Sequence, residues 1–318
     1  MVPTHARALA LAATLVGLWS MLPTVTRAQQ VADAEFRPEI GKPMYEAGRG
    51  PRVLIDAAHH NFHTADGRYQ PFASLLGRDG YTVENNTELF QAASLQPANI
   101  LVISNALAAQ NEEDWFLPTP SAFDSAEIDA VEGWVRDGGA LLLIADHLPF
   151  PGAAAELAAR FGVFLQNGFA VGPDDDMGPI LFTRANAGLA GHAITRGLSS
   201  GETVDTVVSF TGQAFRAAPG APVEPLLTLG ANTVLVLPAV AWQFSKLTPR
   251  LPAAGWLQGA VLRHGRGRVA VFGEAAMFTA QYGGAERRPM GMNHPEAKQN
   301  AQFLLNVMHW LSGALPAG

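Results

Sequence analysis

The chain has 318 residues, of which 48% are hydrophobic and 15% charged; this excludes a disordered chain or a charge-laced coiled coil and allows one large domain or two small ones. With 21 Lys and Arg against 28 Asp and Glu, the formal charge is -7, so no basic footprint exists for a phosphate backbone and nucleic acid is not an expected partner. The absence of cysteine removes disulfides, thiolate metal sites, iron–sulfur clusters and cysteine nucleophiles together. Lysine occurs only at Lys42, Lys246 and Lys298, outside any motif, which leaves the chemistry to histidine and carboxylates.

Residues 1–28 carry His5 and Arg7, an apolar run from Ala8 to Leu22, Pro23 and the small-residue exit Thr26-Arg27-Ala28. This layout predicts a secretory signal peptide cleaved after Ala28, with an apolar run too short for a comfortable membrane span. An uncleaved anchor is the alternative. No later segment is long and apolar enough to span, so the mature chain is expected to be exported, periplasmic or secreted. Cleavage would remove two arginines and no acid, moving the formal charge from -7 to -9.

Residues 29–50 are polar, with Pro38, Gly41 and Pro43, and predict an extended lead-in arm. Val53-Leu54-Ile55 reads as a buried parallel strand. A helix follows around Phe72, Leu75 and Leu76, closed by Gly80, and Tyr81-Thr82-Val83 reads as the second strand. Ile100 to Ile103 is the third, ended by Ser104-Asn105. Residues 108–123, with Glu112, Glu113, Asp114, Pro118 and Pro120, form an insertion long enough to overhang something.

Asp124 and Glu127 make a capping-box pattern, Ile128, Val131 and Val135 share one helical face, and Gly138-Gly139 supplies the stop. Ala140 to Ala145 is a continuous apolar strand, followed by a helix at 153–161 stopped by Gly162. Residues 168–240 contain short candidate strands at 203–210, 226–229 and 234–237. Residues 168–255 are therefore read as an insertion or sheet extension. The pattern recovers in the strand Arg268 to Phe272, which runs into Gly273-Glu274. A last helix follows Pro295, with Ala301, Leu304, Leu305, Met308 and Leu311 at helical spacing before Gly313. Strand and helix alternating predicts one doubly wound, mostly parallel α/β domain over 51–318, with helices on both faces.

In such a sheet, ligands bind outside the carboxyl ends of the strands. Asp56, His59, His60, Asn61 and His63 follow the first strand, Ser104 and Asn105 the third, Asp146 and His147 the fourth, and Glu274 the late one. Four of the eight histidines beyond residue 28 and three acids thus collect there. Asp56, His59, His60, His63 and His147 are candidate ligands of a divalent zinc, manganese or iron ion, whose bound water would supply a hydroxide. His59-x-x-x-His63 would present two imidazoles on one face only in a helix, and it lacks the glutamate of the zincin pattern. A metal-free version uses Asp146, His147 and Glu274 as general acid and base. Asn61 and Asn105 are candidate contacts for a small polar ligand. A purely structural reading stands beside both, because loop acids and histidines also cap helices and tie loops together.

Other features read as structural. Asp174-Asp175-Asp176 lacks calcium-loop spacing and is a solvated turn. Gly265-x-Gly267 precedes a strand, so nothing signals a nucleotide or flavin. His309-Trp310 is packing in an amphipathic helix, and His264 is a loop residue.

The segments Val53 to Asp56, Ile100 to Asn105, Phe123 to Gly138, Gly139 to Asp146 and Gly267 to Glu274 together resemble the class I glutamine amidotransferase-like superfamily. More narrowly, they are similar to its branch near the gliding-motility auxiliary and intraflagellar-transport N-terminal domains. The resemblance covers roughly residues 50–165 and 255–312 and implies a flavodoxin-like fold. Its catalytic members place a cysteine elbow after the fourth strand, where this chain has Asp146-His147. Amidotransfer by a thiolate is therefore excluded. Two functions remain open: an exported hydrolase of a small polar substrate, or a non-catalytic envelope module binding a sugar, peptide or protein in a cleft lidded by residues 108–123.

Overall fold

Four apolar runs, at 53–55, 100–103, 140–145 and 268–272, need both faces covered, and the architecture follows from meeting that need. The computed structural model describes residues 30–172 and 176–316. The expected signal peptide, together with Asp174 and Asp175, lies outside the described residues.

Seven strands make the main sheet: β1 (Arg52–Asp56), β2 (Thr82–Asn86), β3 (Ile100–Ser104), β4 (Ala140–Ile144), β5 (Val223–Thr228), β6 (Leu257–His264) and β7 (Gly267–Phe272). Their spatial order is β5-β6-β7-β4-β3-β1-β2. The run from β7 to β2 is parallel, while β5 and β6 extend it antiparallel. The chain is thus an α/β fold built on a large mixed sheet. Smaller antiparallel sheets surround it, one of them joining Phe169–Val171, Val234–Val236 and Arg250–Pro252.

Helices α1 (Gln70–Arg78), α2 (Ser125–Arg136), α3 (Phe150–Arg160) and α4 (Asn300–Leu311) cover the sheet. Alternate strand residues divide between the two faces, as the strand period requires. Val53, Ile55, Val102, Leu142 and Ile144 pack with Phe72 and Leu76 of α1 and Phe303 and Met308 of α4. Leu54, Leu101, Ile103, Leu141 and Leu143 pack with Ile128 and Val131 of α2 and Leu157 of α3. Each such side chain, fully buried, stabilises the fold by about 1.5–3 kcal/mol.

Ser104 pairs with Ile144, and Ile144 with Phe272, so β3, β4 and β7 end level. The residues just beyond these strands are therefore brought to one edge.

Several boundaries differ from the sequence reading. β2 runs on through Glu84, Asn85 and Asn86, polar residues allowed because β2 is an edge strand. α4 starts at Asn300, several residues after Pro295. His264 ends a strand rather than sitting in a loop. β6 was not foreseen, because Gly259 interrupts its apolar run. A Cβ on Gly259 would lie 2.7 Å from the Phe272 ring and 2.9 Å from Leu227, so the strand needs the residue that hides it. Within residues 168–255, β5 stands at one edge of the main sheet.

Candidate functional site

The residues after the strands form two buried groups rather than one. In the first, Asp56 ends β1 and the chain turns back so that His59 Nδ1 lies 2.9 and 3.0 Å from its two carboxylate oxygens. The other ring nitrogen, Nε2, lies 2.9 Å from Glu127 Oε1 on α2. Both imidazole nitrogens face carboxylates, and His59, Asp56 and Glu127 are all buried. Burial alone would pull the His59 pKa down, but its bonds to Asp56 and Glu127 outweigh this and hold it raised. His59 is thus an imidazolium held between two carboxylates.

Asn61 completes this group. Its Nδ2 donates to Asp56 Oδ2 at 2.9 Å and its Oδ1 accepts from the His59 backbone N–H at 3.0 Å. Glu127 also accepts the Phe90 N–H on Oε1 and the Asp124 N–H on Oε2, while Phe90 and Phe123 rings flank the imidazole.

The second group lies at the ends of β4 and β7. Asp146 and Glu274 are buried and close enough that the charge of Asp146 helps raise the Glu274 pKa. Desolvation contributes most, and the Glu274 carboxyl sits well above its usual range. Burial pushes Asp146 up to about 7 against backbone N–H bonds from His147 and Ala275 and the Asn105 side chain. Two carboxyls in one desolvated place do not both ionise readily.

Asn105 sits at φ 51°, a left-handed position that asparagine tolerates better than most residues. That turn lets its Oδ1 accept the Asp146 N–H at 2.9 Å and its carbonyl accept the Phe62 N–H. Tyr69, just before α1, donates to the Ala275 carbonyl at 2.9 Å. Its ring lies 4.4 Å from that of His63. Burial and the Arg68 guanidinium hold the His63 pKa well below its ordinary value. Its Nδ1 is 3.4 Å from Ser104 Oγ, and its buried Nε2 has no hydrogen-bond partner.

His147 leaves the carboxyls for an aromatic wall. Its ring stacks on Phe169 at 4.5 Å and 12°, with Trp242 edge-on at 4.7 Å and Trp115 beyond. Nδ1 is 2.9 Å from the Leu148 carbonyl, which fixes the proton there and the lone pair on Nε2. Burial lowers its pKa to about 4, so it is a neutral imidazole. His60 turns outward at φ 46° and pairs with Glu112 at 2.8 Å.

The five metal-ligand candidates are therefore dispersed. Both nitrogens of His59 are spent on carboxylates, and His60, His63 and His147 face three different surroundings. Among the described residues, no group of three or more histidines or acids is placed to hold a metal ion. Asn61 and the Oδ1 of Asn105 are engaged with the protein. Glu127 and Tyr69 were missed as members of these groups. Glu127 is legible in the sequence only as half of a capping box, which it also is. Two surface cavities, of about 300 and 220 Å³, are lined by none of these residues. The first lies at the opposite end of the strands, beside Pro51, Asn99 and Gly139, so neither cavity opens on the two buried groups.

No family model matches the chain, and no curated protein matches it. Among solved structures, the "mmIFT52 N-terminal domain" is similar at 14% identity with a TM-score of 0.56, covering 82% of this chain and 97% of that one. A ThuA-like protein from Bacteroides uniformis ATCC 8492 also matches at 14% identity and a TM-score of 0.45, over 87% of this chain and 98% of that one. Another from Parabacteroides merdae ATCC 43184 matches at 11% identity and a TM-score of 0.44, over 84% and 91%. The first likeness shows a shared fold and no more. It concerns one of the two domain types to which the sequence resemblance pointed.

Two further histidines that the sequence singled out make structural contacts. His309, expected as packing, is buried with Nε2 2.6 Å from Asp79 Oδ2, so it packs as one partner of a polar pair. His264 lies against Phe161 and 3.5 Å from Glu132. Asp176, the described member of the acidic run, makes the expected turn, accepting the Gly178 N–H on its side chain.

Proposed function

We propose that Asp146 and Glu274 form a metal-independent acid/base site that hydrolyses a small polar substrate in an exported protein. The observation that carries this reading is the buried carboxyl pair, in which Asp146 is pushed up to about 7. A carboxyl titrating there exchanges a proton at working pH, which an ordinary aspartate does not. Burial raises it, and the Nε2 lone pair of His147 offers an acceptor for a substrate hydroxyl. The metal version is set aside because the two nitrogens of His59 are engaged with Asp56 and Glu127.

We also read the chain from 51 onward as one domain of the class I glutamine amidotransferase-like type. Its parallel strands, taken in chain order, stand 2-1-3-4-5 across the sheet, the flavodoxin-like arrangement. Asp56 and Asn105 then sit at the switch point between β1 and β3.

Non-catalytic binding is the second reading, favoured by the Glu274 oxygens. They accept backbone N–H groups of Ala276 at 2.6 Å and Met277 at 2.8 Å, as a structural cap would. Hydrolysis of a panel of chromogenic esters and glycosides by chelator-treated protein separates the two. Turnover that survives chelation and is lost in Asp146→Asn supports the acid/base site. Ligand binding with no consumption assigns the site to binding instead.

A further inference from the structure

Tyr69 is wholly buried at the start of α1, and a phenol in that position must spend its hydroxyl inside the protein. Its Oη donates to the Ala275 carbonyl at 2.9 Å. That carbonyl belongs to the same peptide group as the Ala276 N–H, which donates to Glu274 Oε1 at 2.6 Å. The phenol and the carboxyl therefore hold the two ends of one peptide. Hydrogen bonds in series polarise one another in a desolvated place, so donation to this carbonyl strengthens donation from this N–H. The preceding peptide serves the other carboxyl, since the Ala275 N–H donates to Asp146. Residue 275 is thus fixed between the two members of the pair, and Tyr69 anchors it from the side of α1.

The phenol is itself held by its ring, which stacks on Phe72 at 5.0 Å and 12° and lies 4.4 Å from the His63 ring. Burial pushes the Tyr69 pKa well above its ordinary value, with a hydrogen bond from Ser104 acting in the other direction. The hydroxyl keeps its proton and stays a donor.

Resting on the acid/base reading of Asp146 and Glu274, we propose that Tyr69 is a positioning residue of that site, holding Glu274 Oε1 in place through the peptide between Ala275 and Ala276. It touches no substrate and acts through Glu274 alone.

Two replacements at this position test the proposal. Tyr69→Phe keeps the ring and removes only the hydroxyl, whereas 3-fluorotyrosine in place of Tyr69 keeps the hydroxyl and makes it a stronger donor. The Ala276 amide proton, followed by nitrogen–proton correlation NMR, is expected to move upfield in the first and downfield in the second. A general loosening of the fold would not give opposite signs. With any ester or glycoside that the unaltered protein hydrolyses, Tyr69→Phe should lower kcat about five- to tenfold and leave KM unchanged. An Ala276 proton that moves in neither variant overturns the proposal. So does a kcat indifferent to Tyr69→Phe while Asp146→Asn abolishes hydrolysis, an outcome that spares the acid/base reading. If the unaltered protein turns nothing over and the Ala276 proton still moves, it is the acid/base reading that fails, and Tyr69 becomes a structural anchor instead.

Discussion

Replacing His59 with leucine is expected to destabilise the fold by about 3–5 kcal/mol, the cost of removing one partner from a buried charged group. Among the described residues, the imidazolium is the cation that bridges Asp56 and Glu127. Without it, two carboxylates remain in a place that excludes water, and Asn61 and the backbone N–H groups cannot balance their charge. Urea denaturation should show a lower midpoint with an unchanged slope, because the surface exposed on unfolding is the same. His59→Gln should recover part of the loss, since one amide can donate to one carboxylate. The pH dependence has a definite sign. The pKa of His59 is raised in the folded state, so its contribution is complete below the ordinary value near 6.5 and fades as pH rises through the raised value. The melting temperature should therefore fall toward alkaline pH, and His59→Gln should flatten that fall.

Asp146→Asn is expected to act in opposite directions on activity and stability. Any hydrolysis at the site should drop by about 10²–10⁴-fold, the usual share of a general acid or base. Stability at neutral pH should rise. Asparagine keeps the shape and still accepts the His147 N–H, which Asp146 Oδ1 takes at 2.8 Å, yet it never ionises beside Glu274. The raised pKa makes the same point. The folded state holds the Asp146 proton more tightly than the unfolded chain, so stability is present below about pH 4 and falls as pH rises toward 7. The variant should lose this slope. His147 bends the acid side the other way. Its pKa is lowered to about 4, so stability is lost as pH falls from about 6.5 toward 4. A gain in stability coupled to loss of activity is what a site that stores strain in buried charge should show.

The sequence carried much of this architecture because local and global signals agree over β1, β3, β4 and α2. Continuous apolar runs need two covered faces, and Asp124 with Glu127 forms the foreseen cap. It also carried the level at which the polar residues gather, since level strand ends bring Asp146 and Glu274 to one edge. It could not carry which atoms meet. His59, His60 and His63 are neighbours in the chain, yet a backbone reversal with His60 at positive φ sends their rings three ways. The partner that decides the state of His59 is Glu127, 68 residues away, and its helix-capping role concealed its second one. β6 was hidden for a packing reason, because Phe272 occupies the space where Gly259 would need a side chain.

The most direct test of the acid/base reading is to follow the Asp146 carboxyl itself, by carbon-detected NMR of aspartate-labelled protein across pH. One aspartate resonance should titrate near neutrality and be missing from Asp146→Asn. Aspartates that all finish titrating below about pH 5 would contradict the account and leave Asp146 a structural carboxylate.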